Sequence, residues 1–116
     1  MKITEQACFY PDPYVYFDPS SRGYERDDIV LEDRIHCWFV KPKPHNARSA
    51  LVVHLHGNAE NMTSHITGVM FLLEAGYPLL AFDYSGYGRS KGSPPLSGIQ
   101  NDARLVFTHV FSHPET

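Results

Sequence analysis

The sequence predicts an α/β fold organised around a parallel sheet, and three observations predict it. Two nearly continuous apolar runs, residues 50–56 and 78–84, have the composition of strands buried on both faces. The segment between them, residues 63–74, places Ile66, Val69, Met70 and Leu73 at helical spacing. A second helical pattern, Ile99, Ala103, Val106 and Val110, follows the later run. Strands that alternate with helices imply parallel pairing and right-handed crossovers.

In chain order, residues 1–28 read as an irregular arm rich in Tyr, Pro, Asp and Ser. Its aromatics Phe9, Tyr10, Tyr14, Tyr16 and Phe17 are expected to pack over the rest of the domain. Residues 29–31 and 34–40 read as two strands joined by a tight polar turn at Glu32-Asp33. In the second strand Ile35, Cys37 and Phe39 alternate with His36, Trp38 and Val40, so both faces carry bulk. Residues 41–49 form a loop, because Pro42 and Pro44 cannot continue a ladder. The run at 50–56 is the first buried parallel strand. The helix at 63–74 ends at Gly76, where a C-terminal cap belongs. After the strand at 78–84, Ser97-Gly98-Ile99-Gln100 has the pattern of a capping box that opens the last helix. His113-Pro114 ends that helix.

Composition narrows the function classes. A chain of 116 residues fits one small domain. A net charge of −3 gives no electrostatic footprint for nucleic acid. No run of 18 apolar residues is present, so no membrane-spanning helix is expected. The first seven residues lack the apolar stretch of a signal peptide, which points to the cytoplasm. Cys8 and Cys37 make no CxxC pair and read as reduced thiols.

The chemistry concentrates in two places. The first is His56-Gly57-Asn58, at the carboxyl end of an apolar strand. Ligands bind at that end of an open α/β sheet. Gly57 lets the backbone approach a reacting oxygen, and the following N–H can point at a developing oxyanion. The second is Asp83-Tyr-Ser-Gly-Tyr-Gly-Arg-Ser-Lys-Gly92, a glycine-rich loop after the next strand.

Together these motifs resemble the first half of an α/β-hydrolase, and specifically a subgroup with the His-Gly-Asn-Ala-Glu-Asn signature, here His56 to Asn61. His36-Cys-Trp-Phe-Val-Lys-Pro42 resembles the Gly-Trp-Phe-x-x-Pro strand of that subgroup, although the usual Asp-Gly hairpin turn is absent. The resemblance covers roughly residues 29–111. It implies an incomplete α/β-hydrolase sheet: an antiparallel hairpin, then parallel strand-helix-strand-helix. Residues 1–28 would be the arm and 29–116 the truncated sheet with its helices. It also implies a serine hydrolase that cleaves an ester, thioester or amide through an acyl-enzyme. In that family the residue after His-Gly donates its backbone N–H to the oxyanion, which assigns the role to Asn58, with His56 and Gly57 supporting the loop. Asp83 and Asp102 match commonly acidic positions and read as structural. The family more often has Arg where this chain has Ser85, which puts a structural ion pair in doubt.

Three competing readings are weaker. Gly88-Arg-Ser-Lys-Gly92 matches G-x-S-x-G, yet a nucleophile elbow joins a strand directly to a helix. Ser90 lies six residues past Tyr84, and Ser93-Pro-Pro95 intervenes before the helix. Asp102 and His109, the other members of a nominal triad, are separated by roughly 10 Å of helical rise. His54 and His56 share one strand face, as zinc ligands can, but no further ligand follows at useful spacing, so no metal is expected. Gly86-x-Gly88 lacks the third glycine and the helix of a dinucleotide site, so no cofactor is expected.

The expectation is therefore an N-terminal fragment. It carries an oxyanion loop without nucleophile, acid or base, and is inactive alone. The neighbour of the His-Gly strand would be missing, leaving residues 51–56 as an open apolar edge for self-association. The alternatives are a non-catalytic interaction module using that edge, or a half complemented by a second polypeptide.

Overall fold

A computed structural model describes residues 10–44, 47–57, 59–92 and 98–112. A four-stranded mixed sheet runs in the order β2 (Arg26–Leu31), β3 (Ile35–Val40), β6 (Leu79–Phe82), β4 (Val52–Leu55). β2 and β3 are antiparallel, as are β3 and β6, whereas β4 and β6 are parallel. A separate two-stranded parallel ladder joins β1 (Tyr10–Pro11) to β5 (Ala59–Glu60). Helices α1 (Met62–His65) and α2 (Met70–Glu74) connect β5 to β6, and α3 (Gly98–Ser112) follows β6.

The alternation of side chains along β3 and β6 sorts the core into two layers. Ile35, Cys37, Leu80 and Phe82 face α3 and pack with Val106, Ile99, Ala103 and Val110. Trp38, Val40, Leu79 and Ala81 face the other way and pack with Met62, Ile66, Met70 and Leu73. All four residues of β6 are buried, as a strand covered on both faces requires. The continuous apolar run seen in the sequence is thus explained.

The hairpin turn between β2 and β3 has positive φ at both central residues, Glu32 at 48° and Asp33 at 57°. Three residues separate the paired Leu31 and Ile35, the Arg34 N–H closes the turn on the Leu31 carbonyl at 3.0 Å, and the positive φ values are reached without glycine. α2 ends in a Schellman motif. Gly76, at φ 97°, donates to the Leu73 carbonyl at 2.9 Å, and Tyr77 donates to Leu72 at 2.9 Å.

Four expectations need correction. β2 begins at Arg26, so the irregular arm gives up its last three residues to the sheet. Asp27 and Asp28 are exposed there, and no apolar alternation betrayed the strand. The single helix at 63–74 is broken by a 3-10 turn over Ile66–Val69. Gly68 lies in this turn, where glycine weakens a helix, and Val69 departs to φ −120°, ψ 6°. The 50–56 run forms not a doubly buried strand but β4, half-buried at the end of the sheet, with Leu55 44% exposed. In the arm, Phe17 packs on the core, but Tyr14 and Tyr16 are exposed and lie edge-on to each other. Polar bonds hold that segment in place: Asn61 donates to the Tyr14 carbonyl at 2.7 Å, and Tyr16 N–H donates to Thr63 Oγ1 at 2.9 Å.

Cys37 is buried as a free thiol, and burial pushes its pKa up to about 12. Cys8, Phe9, Ser97 and His113-Pro114 fall outside the described residues. Among the described residues no helix is long and apolar enough to cross a membrane.

Candidate active-site turn

The chain leaves β4 at His56, whose imidazole turns inward and is buried. It is enclosed by the rings of Tyr84 at 4.4 Å, Tyr87 at 5.1 Å and His65 at 5.4 Å. The Tyr84 hydroxyl donates to the His56 carbonyl at 2.8 Å, tying the end of β4 to the end of β6. His56 Nδ1 lies 2.5 Å from the Gly57 carbonyl. A carbonyl only accepts, so Nδ1 carries the proton. His56 Nε2 approaches Asp83 Oδ1 at 3.3 Å but is not aligned for a hydrogen bond, so this contact is electrostatic proximity.

The turn beyond is fixed from both sides. Gly57 is exposed, and a Cβ there would sit 3.2 Å from His65 Cε1. His65 Nε2 donates to the Ala59 carbonyl at 2.8 Å. Asn61, almost fully buried, caps α1 by accepting from Thr63 N–H at 2.8 Å. Its amide donates to the Asp12 and Tyr14 carbonyls, which fastens the N-terminal arm against the turn. Sequence reasoning missed this clamp, and also missed His65. The position of Asn61 at a helix start was its one visible signal. Asn58 itself lies outside the described residues.

The loop after β6 faces inward. Asp83 is buried and accepts from the Met62 N–H at 2.7 Å, holding the start of α1. Gly88 has φ +53°, and a Cβ there would meet Asp83 Oδ2 at 2.1 Å. Only glycine fits. The buried Ser90 hydroxyl donates to the Asp83 carbonyl at 2.6 Å and accepts from the His36 N–H at 2.9 Å. Asp83 N–H donates to the His36 carbonyl at 3.0 Å, so Ser90 bridges the second half of a β3–β6 ladder rung. Asp102, on α3, accepts from the Ser85 N–H at 2.8 Å, the Ser85 hydroxyl at 3.0 Å and Arg34 Nη1 at 2.9 Å. The guanidinium that the family pattern would place at position 85 is supplied instead by Arg34, beside the β2–β3 turn.

His54 points its Nδ1 into a buried place without a hydrogen-bond partner. Burial, and then the neighbouring His56 and His65, hold its pKa below the usual histidine range. Among the described residues no three His, Cys, Asp or Glu side chains are placed to hold a metal ion.

No protein-family model matches the chain. It is 36% identical over 114 residues to the uncharacterized protein YfhR of Salmonella typhi, covering 94% of this chain and 38% of that protein. It is 30% identical over 89 residues to the alpha/beta hydrolase domain-containing protein WAV2 of Arabidopsis thaliana, covering 72% of this chain and 29% of that protein. Its fold superimposes on the esterase Pf2001 of Pyrococcus furiosus with a TM-score of 0.70 at 24% identity, covering 89% of this chain and 42% of the esterase. The chain belongs to the α/β-hydrolase superfamily. It spans about two-fifths of the length of YfhR. Within the hydrolase fold, β4, β6 and α3 bring the His56-Gly57 turn and the Asp83 loop to one end of the sheet, the carboxyl end of its parallel pair.

Proposed function

We propose that the chain is the N-terminal part of a serine hydrolase that cleaves an ester, thioester or amide through an acyl-enzyme. Its contribution is the oxyanion loop, with the Asn58 backbone N–H as donor and His56 and Gly57 as supports. Nucleophile, acid and base come from other sequence, and the 116 residues are inactive alone.

One observation carries this reading. The Gly57 carbonyl accepts from His56 Nδ1 at 2.5 Å, and that carbonyl belongs to the same peptide unit as the Asn58 N–H. A trans peptide is planar, with C=O and N–H opposed. The bond to a buried imidazole fixes that carbonyl while Gly57 itself is exposed, and a preorganised backbone donor at such a turn would stabilise charge as it develops. Ser90 does not compete as nucleophile, since its hydroxyl is engaged as both donor and acceptor in the sheet.

The test is made on the protein expressed from the complete reading frame that contains these residues. Hydrolysis of a p-nitrophenyl ester is measured, and the site of fluorophosphonate labelling is mapped by mass spectrometry. An adduct on a serine outside residues 1–116 is expected. An adduct on Ser90 would overturn the assignment, and neither labelling nor hydrolysis would end the hydrolase reading.

A second reading is favoured by the position of β4. It ends the sheet among the described residues, and Leu55 is 44% exposed. Such an edge suits strand addition by a second copy of the chain. Sedimentation of the 116-residue chain decides it: a concentration-dependent dimer supports the reading, and a stable monomer sinks it.

A further inference from the structure

Gly57 and Ala59 both lie against one side chain that the His-Gly motif does not single out, His65. His65 lies on α1, and its ring is stacked on that of His56 at 5.4 Å with an interplanar angle of 21°. Its Cε1 edge lies under Gly57, close enough that a Cβ there would stand 3.2 Å away. Its Nε2 donates to the Ala59 carbonyl at 2.8 Å. The ring therefore touches the residue before the proposed oxyanion donor, orders the residue after it, and backs the imidazole that holds the Gly57 carbonyl.

We infer that His65 is a positioning residue for the oxyanion turn, acting through His56 and the Ala59 carbonyl and not on substrate. The inference rests on the proposed hydrolase reading for its kinetic consequence, and on geometry alone for its structural one. Two parts of the ring have separable tasks. The Nε2–H fixes Ala59, and a glutamine amide reaches the same point from the same backbone. The flat face supports His56, and glutamine supplies only part of that. A leucine fills space but offers no donor, which leaves the Ala59 carbonyl unbonded.

The experiment compares His65→Gln and His65→Leu in the protein from the complete reading frame. A misplaced oxyanion donor costs less than an absent one, so kcat in His65→Leu should fall on the order of ten- to a hundred-fold, with KM little changed. His65→Gln should recover most of that loss. A His65→Leu enzyme with kcat within two-fold of the parent, or with loss confined to KM, overturns the proposal. Should His65→Leu fail to fold, Gly57→Ala decides instead. Its loss of kcat should be large beside His65 and small in a His65→Ala background, and additive losses overturn the proposal. A readout independent of activity separates this inference from the hydrolase reading. In 15N-labelled protein the amide signals of Gly57, Asn58 and Ala59 should shift or broaden in His65→Leu and stay near their parent positions in His65→Gln. If the parent hydrolyses no ester, the hydrolase reading fails and these amide signals still decide the role of His65. Unchanged signals in both variants overturn it.

Discussion

In the loop after β6, Asp83 and Ser90 turn into the protein. Ser90 bridges the His36 N–H and the Asp83 carbonyl, Asp83 holds the start of α1, and Gly88 is pressed against the Asp83 carboxylate. In the turn after β4 the His56 side chain also turns inward, buried among Tyr84, Tyr87 and His65, but the backbone at Gly57 is exposed. One loop uses its functional-looking side chains to close a sheet. The other buries its histidine and leaves Gly57 open to solvent. A serine within a G-x-S-x-G string is therefore not equivalent to a nucleophile, because the hydroxyl must be free of structural bonds to react.

The strongest way to break this comparison is to remove the backbone donor itself. Asn58→Pro deletes the N–H, while Asn58→Ala keeps it. In the protein from the complete reading frame, the proline variant should lose about 100- to 1000-fold in kcat, the range seen when one oxyanion donor is removed. The alanine variant should stay within a few-fold. Steady-state ester kinetics on both variants check this. Equal losses in the two would assign the effect to the asparagine side chain and end the backbone reading.

On the loop side the corresponding weak point is Gly88. Alanine there must adopt φ +53° and place its Cβ 2.1 Å from Asp83 Oδ2. Left-handed strain and overpacking together should cost roughly 2–4 kcal/mol of stability. Urea unfolding of Gly88→Ala measures it. A loss under about 1 kcal/mol would mean that Asp83 moves aside freely, and the close packing would then carry little weight.

Ser90→Ala separates structure from chemistry. It leaves the His36 N–H and the Asp83 carbonyl without their bridging hydroxyl, which should cost about 1–3 kcal/mol. Fluorophosphonate labelling of the folded variant should persist. Folded protein that no longer labels would turn the comparison around and make Ser90 the nucleophile.

How much of this was legible in the sequence depends on the range of the interactions. The hairpin at Glu32-Asp33, strand β6, the cap at Gly76 and the inward face of α3 all follow from local pattern, and the structure has each of them. The order of α/β elements and the family resemblance follow from the same local signals. What escaped depends on contacts across the chain. Arg34 reaches Asp102 across 68 positions, so Ser85 looked like a lost ion pair when a cation for Asp102 comes from the β2–β3 turn. Asn61 reaches Tyr14 across 47 positions, and that bond explains why the arm stays docked while Tyr14 and Tyr16 remain exposed. The early start of β2 was hidden because Asp27 and Asp28 are exposed, and Asp28 is satisfied by Arg26, His36 and Trp38. None of these partnerships has a periodicity to read.

The smallest expected effect concerns acid, and it distinguishes the two regions by their chemistry. The β4 side is lined with imidazoles, whereas the loop beyond β6 is closed by a hydroxyl and carboxylates. His54 has a folded pKa below its ordinary value near 6.5, first because it is buried and then because His56 and His65 lie close. Between the folded and unfolded values the unfolded chain binds the extra proton. Stability therefore rises with pH through that window: the neutral His54 is fully accommodated above about pH 6.5, and the fold is penalised as pH falls below it. Urea midpoints at pH 7.5 and pH 5.5 should differ, and His54→Leu should narrow the gap by removing the group whose protonation the fold disfavours. An unchanged gap would place the acid response on other groups and leave the orphaned His54 Nδ1 without consequence for stability.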